Sequence, residues 1–309
     1  MKKVIITGAT GFIGGALAKK LLSDGVTVYG IDIDAKRLEQ MKQYGDFIPV
    51  VADFSKYDKL SEMITDKDID VFYHFAWAGK LGGQDLYDYK LQISNTLAAC
   101  KSCEFACSIN VKRFVFISSS YQFMVDNKTN STNSNIYGIE KNSAQLLCKA
   151  ICYTHNAEFI GAILTNTYGN GDYSKKAVNT FIRKLLNNEN LDLITGEYQN
   201  DWMYIDETVR GLIYVGCTQY EKEEIYIGHS DISTFKEKLI IMKKVLNSES
   251  ELNFGCYQDN AHVDYKKLIP ICINQAEIKM QNFEEYINLT AKWIKQIDCI
   301  EGVQQECKK

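Results

Sequence analysis

The sequence is short of arginine and proline: Arg37, Arg113, Arg183 and Arg210 are the arginines, and Pro49 and Pro270 the prolines, in 309 residues. Lysine and asparagine are plentiful instead, a compositional bias without mechanistic meaning. Positive charge is not in excess either, since 35 Lys and Arg stand against 39 Asp and Glu for a net charge of −4. That balance leaves no basic patch or tail for nucleic acid. No run of about eighteen apolar residues occurs, so no membrane partner is expected. An apolar leader is missing too. The stretch Val4–Thr7 is broken at once by Gly8, Thr10 and Gly11, which fits a buried strand entering a turn better than a signal peptide. Internal repeats, low-complexity tracts and linkers are absent, so no separate second domain is expected.

Ten cysteines are present. In a chain this long they read as reduced thiols of a cytoplasmic protein rather than a disulfide framework. Cys100, Cys103 and Cys107 share one helical face. A metal would want a fourth ligand and a rigid loop, neither apparent nearby, so packed free thiols and no metal are expected.

The apolar content of 46% and charged content of 24% suit a globular chain with a sizeable core. Short apolar runs at Lys3–Thr7, Val26–Ile31, Phe47–Val51, Val71–Phe75, Phe114–Ile117 and Phe159–Leu164 alternate with helix-length segments. That pattern predicts a parallel sheet buried on both faces, an α/β doubly wound Rossmann architecture. Long helices are predicted over Tyr89–Asn110 and Tyr137–Thr154. After Gly171 the pattern loosens. Residues 1–170 are expected to form the dinucleotide-binding core and 171–309 a smaller mixed α/β substrate lobe, packed on the core and interleaved with it.

The turn after the first strand reads Thr7-Gly8-Ala9-Thr10-Gly11-Phe12-Ile13-Gly14. Glycines allow such a turn to bring backbone N–H groups and a helix N-terminus against a pyrophosphate. Gly8, Thr10, Gly11, Phe12, Ile13 and Gly14 are therefore the candidate phosphate-binding residues. Asp32 lies eighteen residues beyond Gly14 at the next strand end, where its carboxylate accepts from ribose hydroxyls and repels a 2′-phosphate. This favours NAD over NADP, although Lys36 and Arg37 partly offset the repulsion. Asp53, after the third strand, suits either the adenine amino group or a helix cap.

Tyr137 and Lys141 are four residues apart and so share a helix face. A cation near a phenol stabilises the phenolate and lowers its pKa from about 10 towards the working range. The phenol can then move a proton at an alcohol oxygen while hydride passes to or from a nicotinamide.

With these motifs the chain resembles the extended short-chain dehydrogenase/reductase family, the NAD-dependent nucleotide-sugar epimerases, dehydratases and reductases. The resemblance runs nearly end to end. It takes in the glycine turn, His74-Phe75-Ala76, Asn95, Val111–Ser120, Tyr137, Lys141, Asn166-Thr167-Tyr168-Gly169 and Asp201–Asp206. It implies Ser120 as the catalytic hydroxyl, with Ser119 the alternative and a substrate contact, alongside catalytic Tyr137 and Lys141. It further implies that Lys141 holds the nicotinamide ribose, that Phe75 and Ala76 line the cofactor pocket, and that Asn166 touches the sugar diphosphate. A homodimer through the two long helices is implied as well.

The family's dehydratases carry an Asp-Glu pair directly after the catalytic hydroxyl; here Tyr121 and Gln122 follow Ser120. Dehydration by that route is therefore not expected. A C4 epimerase working through a transient 4-keto sugar is the leading expectation, tilted by Asp32. A 4-keto-sugar reductase or sugar 4-dehydrogenase is the alternative, and a non-catalytic dinucleotide sensor the minor one. Trp77 replaces a small residue after His-x-Ala and either narrows the pocket or packs. Asn200 stands where arginine often clamps a diphosphate, leaving Arg183, Arg210, Lys175 and Lys176 as substitutes.

Overall fold

The computed structural model describes residues 1–79, 83–131, 135–174, 176–218, 222–274, 278 and 282–306. Lys175, one of the candidate diphosphate cations, lies outside the described residues. In chain order the elements are β1 (Lys3–Thr7), α1 (Phe12–Ser23), β2 (Thr27–Asp32), α2 (Ala35–Met41), β3 (Phe47–Val51), α3 (Leu60–Met63), β4 (Val71–His74) and α4 (Tyr89–Ser108). There follow β5 (Arg113–Ser119), β6 (Met124–Asp126), α5 (Ile136–Thr154), β7 (Glu158–Leu164), β8 (Asn166–Tyr168), α6 (Ala177–Leu186) and β9 (Leu191–Ile194). The remainder are β10 (Trp202–Tyr204), α7 (Ile205–Cys217), β11 (Glu224–Ile227), α8 (Phe235–Val245), β12 (Leu252–Tyr257), β13 (Ala261–Val263) and α9 (Phe283–Glu306).

Seven strands form one sheet in the order β11-β7-β5-β4-β1-β2-β3, and every pairing is parallel. Its strands alternate between two cores. Val4 and Ile6 pack with Leu17 and Leu21 of α1 and Leu212 of α7. Ile5 and Phe72 face the other way, towards Ala98, Ala99 and Cys103 of α4 and Cys148 of α5. Each such fully buried aliphatic side chain contributes about 1.5–3 kcal/mol. A central strand with apolar residues on both faces leaves no polar alternation, which is why the runs read as continuous.

Strand order reverses between β1 and β4, and the crevice beyond their C-terminal ends is where this architecture binds ligands. The glycine turn leaves β1 there, and Phe75 and Ala76 leave β4. The expected Rossmann sheet is therefore present, with strand and helix ends shifted by one to three residues. The fourth strand stops at His74, and the first long helix stops at Ser108 because Asn110 takes a left-handed φ of 57°.

The part beyond residue 170 does not stand apart from the sheet. Its strand β11 pairs with β7 at the edge, and its β13 pairs antiparallel with β6, which precedes α5. Two further small sheets, β8 with β10 and β9 with β12, and helices α6, α8 and α9 build the rest of this lobe.

Candidate active site

The site is assembled at the first turn of α5. Asn135 caps that helix by accepting from the Gly138 amide at 2.6 Å, and its side-chain amide donates to the Tyr121 carbonyl at 3.4 Å. A Cβ at Gly138 would lie 2.4 Å from the same carbonyl, so only glycine lets α5 start this close to the turn after β5. The result is that Tyr137 stands beside the serines at the end of β5.

Of those serines, Ser119 is the one facing the phenol. Its hydroxyl opposes the rise in the Tyr137 pKa, and it accepts from the Tyr121 amide at 3.3 Å. Ser120 is 2% exposed and Ser118 3% exposed, both turned into the protein. The sequence order favoured Ser120. Ser119 ends β5 half-buried beside the phenol, and Ser120 opens the short 3-10 turn that follows.

Tyr137 is held edge-on between Trp77 (6.1 Å, 87°) and Tyr121 (5.9 Å, 89°). Burial pushes its phenol well above the ordinary value. The expected lowering by Lys141 is not found in this arrangement, because the ammonium is turned elsewhere. Lys141 Nζ donates to the Ile117 carbonyl at 2.8 Å and sits 3.7 Å from the centroid of the Trp77 ring. Burial lowers the Lys141 pKa to about 7. Trp77 thus packs on Lys141 and Tyr137, its indole N–H donating to Gln92 Oε1 at 2.8 Å.

The cofactor side of the crevice is closely fitted. Gly8 has a φ of 69°, and a Cβ there would lie 3.1 Å from the Ala76 nitrogen and 3.2 Å from Phe75 Cβ. A Cβ at Gly14 would lie 2.4 Å from the Gly8 oxygen. Phe75 and Ala76 therefore lie against the turn. Helix α1 begins at Phe12 with Gly11 as its cap, without a side-chain cap and without an acidic residue in its first turn. Such a helix start offers its amides and positive dipole end to an anion, which fits the pyrophosphate of a dinucleotide. The residues present fit NAD.

Asp32 is tied to the same turn. Its Oδ2 accepts from the Thr10 amide at 2.9 Å and the Thr10 hydroxyl at 2.8 Å, and its Oδ1 accepts from the Ile33 amide at 2.7 Å. A carboxylate offers about four acceptor sites, so capacity for a ribose hydroxyl remains. The Arg37 guanidinium donates to the Thr10 carbonyl, alongside Asp32. Asp53 serves as a cap, accepting from the Ser55 amide at 2.9 Å and hydroxyl at 2.5 Å. His74 is fully buried, accepts or donates at 3.1 Å to Thr7 Oγ1, and is kept neutral by burial, its pKa lowered to about 3.

A cavity of about 130 Å³ is lined by Tyr121, which follows the serines in the chain, and by Asn166 and Asn200 together with Tyr198, Asp259, His262 and Tyr265. Tyr198 and His262 stack at 4.1 Å and 8°. Sequence reasoning missed this pair. Its members are 64 positions apart and carry no local signal; the β6–β13 pairing places His262, and the segment before β10 carries Tyr198 to it. Of the cations offered as diphosphate clamps, Arg183 pairs with Asp298 at 3.0 Å, and Arg210 donates to the Ile278 carbonyl at 2.7 Å. Both lie beyond residue 170, and neither lines the cavity. Lys176 alone among the described candidates reaches the glycine turn, 5.7 Å from the Phe12 ring centroid.

Asp201, in the Asp-Trp segment, is a buried anchor. It accepts from Tyr226, from the His229 amide at 2.8 Å and from His229 Nδ1 at 2.6 Å. Burial raises its carboxyl, and these donors more than offset the rise.

Residues 4–228 match the model of the NAD dependent epimerase/dehydratase family. The chain belongs to that family. Among its curated relatives are a CDP-abequose synthase of Yersinia pseudotuberculosis, 25% identical over 85% of this chain and 92% of the relative, and a dTDP-4-dehydro-6-deoxyglucose reductase of Escherichia coli, 24% identical over 86% and 88%. Among solved structures, the UDP-glucuronic acid 4-epimerase of Bacillus cereus, bound to UDP-glucuronic acid and NAD, shares the fold. It has a TM-score of 0.73 at 21% identity, covering 96% of this chain and 99% of that one. This epimerase/dehydratase chain is thus an NAD-dependent enzyme, as the motifs led us to expect.

Proposed function

We propose that this enzyme oxidises and re-reduces C4 of a nucleoside-diphosphate sugar, acting as a 4-epimerase through a transient 4-keto sugar. The observation that carries the reading is the Ser119 hydroxyl beside the Tyr137 phenol, with Lys141 one helical turn on and bonded to the Ile117 carbonyl. Tyr137 takes the proton from the sugar hydroxyl and returns it, while the Ser119 hydroxyl bonds the same oxygen. Lys141 leaves the Ile117 carbonyl to hold the nicotinamide ribose, which places its charge nearer the phenol. NAD, when bound in the crevice, would supply the hydride acceptor and donor. Neither Ser120, Tyr121 nor Gln122 is an acid, so the turn after Ser119 supplies no Asp-Glu pair for dehydration.

Asn166 and Asn200 then face the diphosphate, Lys176 adds charge, and the stacked Tyr198 and His262 offer a platform for the base. A second reading, a 4-keto-sugar reductase, is favoured by Arg37. Its guanidinium lies beside Asp32, where a 2′-phosphate would fall, and so leaves NADP open.

Denaturing freshly purified protein and measuring released nicotinamide cofactor tests the choice. Near-stoichiometric NAD(H) is expected for an epimerase that keeps its cofactor. Release of little or none overturns that reading in favour of the reductase.

A further inference from the structure

The seam between α4 and α5 holds a cluster of sulfur that the chemistry above does not use. Helix α4 contributes Cys103 and Cys107, one turn apart, and α5 contributes Cys148 and Cys152, also one turn apart. The sequence alone places Cys100, Cys103 and Cys107 on one face but shows no further ligand. The packing of α5 supplies it. The sulfurs of Cys103 and Cys152 are 3.3 Å apart, and those of Cys103, Cys107 and Cys152 all lie within 4.8 Å of one another. Cys152 is eleven residues beyond Lys141, about 16 Å along the helix, so the cluster is separate from the active site.

Cysteine can fill a helix seam simply as a small apolar residue. Three sulfurs converging on one point is a stronger condition. A metal–sulfur bond of about 2.3 Å in trigonal geometry puts ligand sulfurs about 4 Å apart, within the range seen here. Ligands one turn apart on a helix, joined by one from a neighbouring helix, are a common way to build such a centre. Among the described residues, no carboxylate or imidazole joins the three sulfurs at this spacing. Cys103 and Cys152 are fully buried, so bulk solvent does not reach them to supply the fourth ligand of a zinc ion. Soft thiolates without a fourth ligand suit a monovalent d10 ion.

We propose that Cys103, Cys107 and Cys152 form a trigonal thiolate site for Cu(I). Cys107, at 8% exposure the outermost of the three, is the point of entry. Three thiol protons leave as three Cu–S bonds form, and neither sulfur nor copper changes oxidation state. Binding ties α4 to α5 and stabilises the folded chain, because the three ligands meet only in it.

The test is an anaerobic titration of the reduced full chain with Cu(I) held by a chromophoric chelator. One ion per chain is expected, with three sulfurs and no lighter ligand by X-ray absorption, and a higher melting temperature. Cys107→Ala and Cys152→Ala should each lose the ion and the thermal shift. Cys148→Ala, in the same seam but outside the triangle, should keep both, as should Cys256→Ala at an exposed thiol. Should Cys152→Ala fail to fold, Cys107→Ala at the edge of the seam decides. Less than half an equivalent bound, binding that survives Cys107→Ala, or displacement of Cu(I) by Zn(II) overturns the proposal.

Discussion

Ser119 ends β5, and Ser120 opens the 3-10 turn that follows it. The hydroxyl beside the Tyr137 phenol belongs to Ser119, whereas Ser120 is buried at 2% exposure. Ser119→Ala is accordingly expected to lower kcat by about 10²-fold or more, the usual scale for losing a proton-transfer or oxyanion partner. Ser120→Ala should change it little. Tyr137→Phe should fold, keep its cofactor and lose most turnover. Steady-state rates with cofactor content measured in parallel check all three, and full activity in Tyr137→Phe would sink the mechanism.

Lys141 makes a prediction about pH. Its pKa is lowered to about 7 in the folded chain by burial, against about 10.4 when unfolded. Between those values the unfolded chain binds the extra proton, so stability rises with pH across the window. The slope from this residue approaches about 1.4 kcal/mol per pH unit. Denaturant unfolding from pH 7 to 9 should show that rise in the native chain. It should be missing from Lys141→Met, which is expected to be inactive yet no less stable at pH 7.

At the scale of elements, two close approaches shape the site, and both depend on a missing Cβ. Gly138 lets α5 start against the turn after β5, and Gly14 lets α1 start against Gly8. A Cβ at Gly14 would meet the Gly8 oxygen at 2.4 Å, and that oxygen belongs to backbone that cannot step aside cheaply. Gly14→Ala should therefore distort the glycine turn and weaken NAD binding at least tenfold, measured by calorimetry. The outer sheet should stay intact by circular dichroism. Unchanged affinity would mean that the turn is not the pyrophosphate site.

The glycine turn, Tyr137 with Lys141, and the two long helices were all legible because each is a local pattern of spacing or period. The serine facing the phenol was not, since which of the adjacent serines ends β5 and which opens the next turn carries no local signal. Nor were the fates of Arg183 and Arg210, whose partners Asp298 and Ile278 lie far along the chain.

Across the whole molecule, the outer faces of α4 and α5 expose Tyr89, Ile93, Leu97, Leu146, Leu147 and Tyr153. Residues 89, 93 and 97 recur at helical spacing, so they form one apolar stripe. We propose that a second copy covers it, making a four-helix interface. Sedimentation should show a dimer, and Leu97→Glu combined with Leu147→Glu should yield a folded monomer. A monomeric native chain would exclude that assembly. Among the described residues, no helix is long and apolar enough to cross a membrane.

The sequence by itself determined the parallel sheet, the cofactor turn and the Tyr-Lys pair, because these follow from backbone sterics, hydrophobic period and helical repeat, all acting over a few residues. Only the tertiary structure decided which serine meets the phenol, where the Lys141 ammonium rests and which arginines are engaged elsewhere. It also decided that sulfurs from two helices converge. Those outcomes depend on burial and on contacts between residues distant in the chain, where direction and distance are set by packing.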